Sequence, residues 1–277
     1  MTTQIILLVA LCFGLLSLTI IRLLQTKAQA HKKNLRGLNI LDKLVSIVKL
    51  TQQHRGMQAG FLNGQLNVKS KLLIIEQETI KHYKDIQTLS RQLDPKTYTA
   101  IHSEFMQWQR LLDRSGDDAD SSFQAHSGLI ARLLDSLWDM ADDFALTTNP
   151  NSKIQALANN LVRTLPELAE AIGQVRALTM QVSNSDRCTP DKKLHLLFAL
   201  AKIEQDSKKV KQDLSAKSLG QLQNFVDDVR LSIEDKSLSN KNPEIFFQEA
   251  TANIDTIFSF IQKGFDTIRV ELAAKSP

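Results

Sequence analysis

Along most of this chain apolar residues return every three or four positions, the period of a helix that buries one face. The clearest run, LNILDKLVSIVKLTQQHRGMQAGFL, puts Leu38, Leu41, Leu44, Ile47, Val48, Thr51 and Arg55 on one stripe. The pattern stops at LNGQLN (62–67), LDPKT (93–97), RSGDDADSS (114–122), TTNPNS (147–152), SNSDRCTPDK (183–192), KSLGQ (217–221) and LSNKNPE (238–244). These stretches are polar or hold Gly or Pro, which break regular structure. In LDPKT, Asp94 suits a helix N-cap and Pro95 the first helical position. The pattern predicts about eight helices in the body, four on each side of residue 150. No stretch alternates at period two, so an all-α fold without a sheet is expected.

One stretch departs from the amphipathic pattern. Residues 5–24, IILLVALCFGLLSLTIIRLL, are almost wholly apolar, and 5–21 carry no charge. About twenty helical residues span a ~30 Å hydrocarbon core, so residues 1–26 are expected to be a transmembrane anchor. The run is longer than a signal-peptide core and has no Lys or Arg before it, although AQA at 28–30 resembles a cleavage site. Arg22, Lys27, Lys32, Lys33 and Arg36 follow the span, with residues 27–37 as a basic linker. The positive-inside rule then predicts a single-pass protein of the inner membrane, its body in the cytoplasm; an extracytoplasmic body is the other orientation.

The halves of the body, 38–149 and 150–272, read as a divergent internal duplication. A shift of 121 residues lays Gln53 on Gln174, Arg55 on Arg176 and Asn63 on Asn184, with Ile47 on Leu168 and Met57 on Leu178. The expected architecture is two antiparallel four-helix bundles, end to end or side by side.

Arg55 and Arg176 continue apolar stripes, and a buried guanidinium is costly unless paired. Their neighbours are small: Gly56, Ala59 and Gly60 in one helix, Gly173 and Ala177 in the other. Two guanidinium groups converging on such a gap would form a site for a small planar oxyanion such as nitrate or carboxylate. The alternative is an internal ion pair with an acid such as Asp42, Glu167 or Glu170.

At these residues the chain resembles a known family. LVSIVKLTQQHRGMQAGFLNG resembles the first signature of nitrate- and nitrite-sensing (NIT) domains, and LPELAEAIGQVRALTMQV is similar to their second, with a Gly-x-x-Arg-Ala element at 173–177. The resemblance covers roughly residues 38–270. It implies an all-helical pair of four-helix bundles that binds nitrate or nitrite between them through Arg55 and Arg176, with Gly56 and Gly173 as close-packing positions. Family members occur in bacterial receptors, kinases and antiterminators, usually fused to an output domain. His54 stands where members often carry an acid, and no output domain follows the last helix, so the signal is expected to pass to a separate output protein. Homodimerisation is a further expectation for an anchored sensor of this kind.

Composition narrows the classes. Net charge is +4 with 34 basic and 30 acidic residues interleaved, a solvated helical surface rather than a nucleic-acid stripe. The two cysteines, Cys12 and Cys188, have no metal-ligand spacing, and the six histidines show no zinc-helix pair. His54 reads as a surface residue; Trp108 and Trp138 read as core. No phosphate-cradling glycine loop and no nucleophile motif occurs, so neither a cofactor nor an enzyme is expected. The competing reading is a helical scaffold that recruits a partner at the membrane without a ligand.

Overall fold

The computed structural model describes residues 2–62, 64–91, 95–113, 118–184, 188–235, 237–238 and 242–274, with side chains for all of these except 2–10, 12, 183, 184 and 243. Described residues form helices and no strand: α1 (Thr2–Leu62), α2 (Lys69–Arg91), α3 (Pro95–Asp113), α4 (Ala119–Asp143), α5 (Ser152–Asn159), α6 (Leu165–Asn184), α7 (Pro190–Lys209), α8 (Ala216–Glu234) and α9 (Pro243–Ala273). α5 passes into α6 through a π-helical segment, Asn160–Thr164, so the second half also has four helical arms. Leu165 N–H donates to the Asn160 carbonyl, one residue beyond the α-helical partner. Pro166 follows; it has no N–H to close an ordinary turn, and widening is one way a helix absorbs that.

Most helix starts lie where polar breaks place them. Asp118 caps α4 by accepting from the Asp120 and Ser121 amides, Asn151 caps α5, Thr189 caps α7 ahead of Pro190, and Asn242 caps α9 ahead of Pro243. Gly64 turns the chain between α1 and α2 with φ +91°, a conformation glycine adopts without steric cost. α3 begins at Pro95 as expected; Asp94, its proposed cap, lies outside the described residues. The break read at 217–221 is displaced. Those residues lie inside α8, and the chain turns earlier, where Ser215 caps the helix by accepting from Ser218 N–H at 3.1 Å. Gly220 is tolerated as an exposed helical glycine.

The first bundle is α1 against α2 and α4, with α3 closing the ring; the second is α6 against α7 and α9, with α8 closing it. They lie side by side, because α1 packs on both α6 and α9, and α4 reaches α6. One continuous apolar core runs through both, from Leu38 and Ile47 across Ile172 and Val175 to Phe265. Ion pairs tie the bundles at the surface: Lys49 to Asp255 at 2.8 Å and Arg269 to Asp42 at 3.4 Å.

α1 is 61 residues long, about 90 Å, and residues 27–37 are part of it. Its N-terminal part is an arm with Phe13, Leu16, Ile20 and Leu24 exposed; continuous burial begins near Leu38. No helix among the described residues is long and apolar enough to cross a membrane. This overturns the expected single-pass inner-membrane location, its orientation and the membrane as a partner. Among the described residues the apolar stretch passes after Leu24 into Gln25, Thr26 and Lys27, which are polar or charged. Residues 5–10 and Cys12 of the expected anchor lie outside the described side chains.

Candidate functional site

Where the bundles meet, Arg55 of α1 and Arg176 of α6 are both buried, at 1% and 2% exposure. Each is the polar end of an otherwise apolar stripe, so the packing that forms the core carries the guanidinium inward. The surroundings repeat with approximate two-fold symmetry. Arg55 Nη1 donates to Ser127 Oγ at 2.9 Å, and its guanidinium lies over the Phe123 ring at 5.3 Å, both on α4. Arg176 Nη1 donates to Thr251 Oγ1 at 3.0 Å and lies over the Phe247 ring at 5.1 Å, both on α9. Each arginine also lies against the other helix's glycine. A Cβ on Gly173 would stand 2.8 Å from Arg55 Nη2, and one on Gly56 would stand 3.4 Å from Arg176 Nη2. The missing side chains let the guanidinium groups lie flat across the α1–α6 seam.

The symmetry ends at the acid. Glu170 of α6, 8% exposed, accepts from Arg55 Nη1 at 2.6 Å and Nη2 at 3.1 Å, a bidentate pair. It also accepts from Gln52 Nε2 at 3.0 Å and Gln174 Nε2 at 2.9 Å. Among the described residues Arg176 has no carboxylate in contact: its Nη2 donates to the Gln52 carbonyl at 3.1 Å. Its Nε, like that of Arg55, has no hydrogen-bond partner among the described residues. Burial, with the charge of Arg55 beside it, pulls the Arg176 guanidinium down to about 10 against the weaker opposing fields of Glu170 and Asp255. It therefore stays charged at neutral pH, and the cluster of two arginines and one glutamate carries a net positive charge in a low-dielectric seam.

Of the acids considered from sequence, only Glu170 reaches an arginine of the site. Asp42 pairs with Arg269, and Glu167 with Lys202 at 2.7 Å. Asn63 and the Asn184 side chain lie outside the described residues. Gln52, Gln174, Ser127 and Thr251 were not singled out as donors or acceptors. A signal existed for the last two: Phe123/Ser127 and Phe247/Thr251 are equally spaced pairs at matching places in the halves.

His54 is not a surface residue. It is 2% exposed, with its ring edge-on to buried Trp108 at 5.1 Å. His126 Nδ1–H donates to the Ser122 carbonyl at 2.7 Å. Burial first, then His54, push the His126 imidazole down to about 3, so it is neutral and its Nε2 accepts from His54 Nδ1–H at 2.8 Å. His54 Nε2 then faces Glu76 Oε1 at 3.2 Å. α1 packs against α2 and α4 as well as α6 and α9, so its buried face is wider than one apolar stripe and takes in Gln52 and His54. Among the described residues no group of three His, Cys, Asp or Glu side chains could hold a metal ion.

A cavity of about 450 Å³ opens beside the pair, between α4, α6 and α7. Phe123, Ser127, Glu170, Gln174, Phe198 and Lys202 are among its lining residues.

No family model matches the chain. No curated protein matches it. Among solved structures it is similar to the NasR transcription antiterminator, with a TM-score of 0.70 over 94% of this chain and 75% of that one, at 12% identity. The likeness shows a shared helical fold.

Proposed function

We propose that this chain is a non-catalytic helical sensor that binds nitrate or nitrite at the seam between its bundles. The observation that carries the reading is Arg176, a guanidinium buried and charged with no carboxylate beside it among the described residues. A buried charge without its counter-ion is costly, and a small planar oxyanion would relieve that cost while accepting several fixed N–H bonds. The resemblance of both arginine windows to NIT signatures supports the choice of anion and of role. An anion held by groups on α1 and α6 favours the state in which these helices are seated together. α1 extends far beyond the seam, so a change in its seating would move the arm, which is where a separate output protein would read it.

Calorimetry on the full chain tests this, with nitrate and nitrite against chloride and sulfate. Saturable binding of nitrate or nitrite, lost in Arg176→Ala, is the expected result. Absence of binding by a folded chain sinks the reading. A ligand-free scaffold is then the conclusion, and one feature already favours it: the Arg55–Glu170 pair is what a permanent interface between bundles would use.

A further inference from the structure

We infer that Glu170 is a tethered occupant of the anion seat, a carboxylate built into α6 that an incoming oxyanion must displace. The inference rests on the anion-site reading above and names how that site is gated.

A carboxylate presents two oxygens in a plane, as nitrite and one edge of nitrate do. Glu170 Oε1 accepts from Arg55 Nη1 and Gln174 Nε2, and Oε2 from Arg55 Nη2 and Gln52 Nε2. Two oxygens with four donors are a saturated planar oxyanion. The donors come from both helices, Gln52 and Arg55 from α1 and Gln174 from α6, so they form a seat rather than a pair. Gln52 also reaches Arg176 through its backbone carbonyl, which places the uncompensated guanidinium at the edge of the same seat. An ion pair that served only to join the bundles would need no such ring of amides.

The glutamate also has somewhere to go. The cavity beside it is lined by Glu170 itself and by Lys202 of α7. One turn earlier on α6, Glu167 already bonds Lys202 Nζ at 2.7 Å. Lys202 also pairs with Asp206 at 2.8 Å, so a rotamer change would carry the Glu170 carboxylate from the seat into this partly open space, where solvent takes it up. The seat would then present Arg55, Gln52 and Gln174, with Arg176 alongside, to an external anion. Apparent affinity falls by the fraction of time the seat is open, so removing the tethered carboxylate tightens binding by the inverse of that fraction.

The test compares the full chain with Glu170→Ala and, in case that variant folds poorly, Glu170→Asp, whose shorter side chain cannot make the bidentate bond. Formate, a free carboxylate, is added beside nitrate and nitrite, and both melting temperature and calorimetric affinity are read. In Glu170→Ala, formate and nitrate are each expected to raise the melting temperature more than they raise that of the unaltered chain. Nitrate affinity should rise about tenfold or more, with a smaller gain in Glu170→Asp. Formate rescue without nitrate binding would uphold the seat and sink the choice of nitrate. Nitrate binding by the unaltered chain that is equal or weaker in both variants would overturn the inference and leave the anion reading standing. No response of any variant to any anion would overturn both.

Discussion

The two arginine seats share a plan and differ in one residue. Each has a guanidinium over a phenylalanine ring, a hydroxyl one turn further along the same helix, and a glycine opposite. Arg55 also has Glu170, whereas Arg176 has only a backbone carbonyl and Thr251. Removing one partner of a buried ion pair strands the other, so without an anion the Arg55 seat is closed by its tethered carboxylate. Among the described residues Arg176 has no such counter-charge, so it stays charged at the edge of the seat that Glu170 would vacate. The cores behind the seats differ as well. The first bundle buries His54, His126 and Glu104; the second is built around Phe225, Phe246, Phe258 and Phe265.

The largest expected effect breaks the closed seat. Arg55→Ala leaves the Glu170 carboxylate buried beside two amides and should cost about 3–5 kcal/mol of stability by urea unfolding. Arg176→Met in the absence of anion should change stability by about 1 kcal/mol or less, since packing replaces an uncompensated charge. Equal losses in the two variants would erase the distinction between the seats.

The next effect separates the cores. Burial pushes the Glu104 carboxyl from 4.5 up to about 7, only partly offset by its bond to Ser136 and by Arg132. The folded state therefore holds this proton more tightly than the unfolded state. That contribution is present below pH 4.5 and lost as pH rises to about 7. His126 acts in the opposite sense: its contribution is present above 6.5 and lost as pH falls toward about 3. The difference between the unaltered chain and Glu104→Gln isolates the first term. The variant should gain about 3 kcal/mol relative to the parent between pH 4.5 and 7.5, read from urea midpoints. A pH-independent difference would remove the titrating core from the account.

The smallest effect has opposite signs at the two glycines. Gly173→Ala forces a Cβ to 2.8 Å from an Arg55 nitrogen that the ion pair holds in place, and should destabilise by about 1 kcal/mol. Gly56→Ala meets Arg176 at 3.4 Å, ordinary contact, and should be neutral or stabilising by up to about 1 kcal/mol through helix propensity. Melting curves of the two variants decide it; a shift of the same sign in both would mean the guanidinium groups are equally free.

How far the sequence reached follows from which interactions are local. Helix periodicity and caps are local, and they placed the bundles and set Arg55 and Arg176 on inward faces. Gly56 and Gly173 adjoin these arginines in the sequence, and in the fold each lies against the guanidinium of the opposite helix. The choice of Glu170 over Glu167 was not legible. They stand three positions apart on the same helix, and only the rotation of α6 against α1 sends one to Arg55 and the other to Lys202. His54 was misplaced for a related reason: its burial depends on His126 and Trp108, brought from two other helices. The apolar run at the start shows the limit of composition, since hydropathy registers what a segment avoids and not what it meets.

The π-helical segment before α6 has a consequence for inheritance. Asn160–Thr164 offsets everything after it from everything before it, and Arg176 and Glu170 both lie after. Loss of one residue there would return an unbroken α-helix and rotate the two portions by about 100° relative to one another. Either the α5 face that packs on α9 or the α6 face that carries the site would then turn from its partner. The second repeat is thus tuned by a reading-frame of angle as well as by its residues, so descendants of this fold can exchange side chains at the seam far more readily than they can change the length of the segment leading to it.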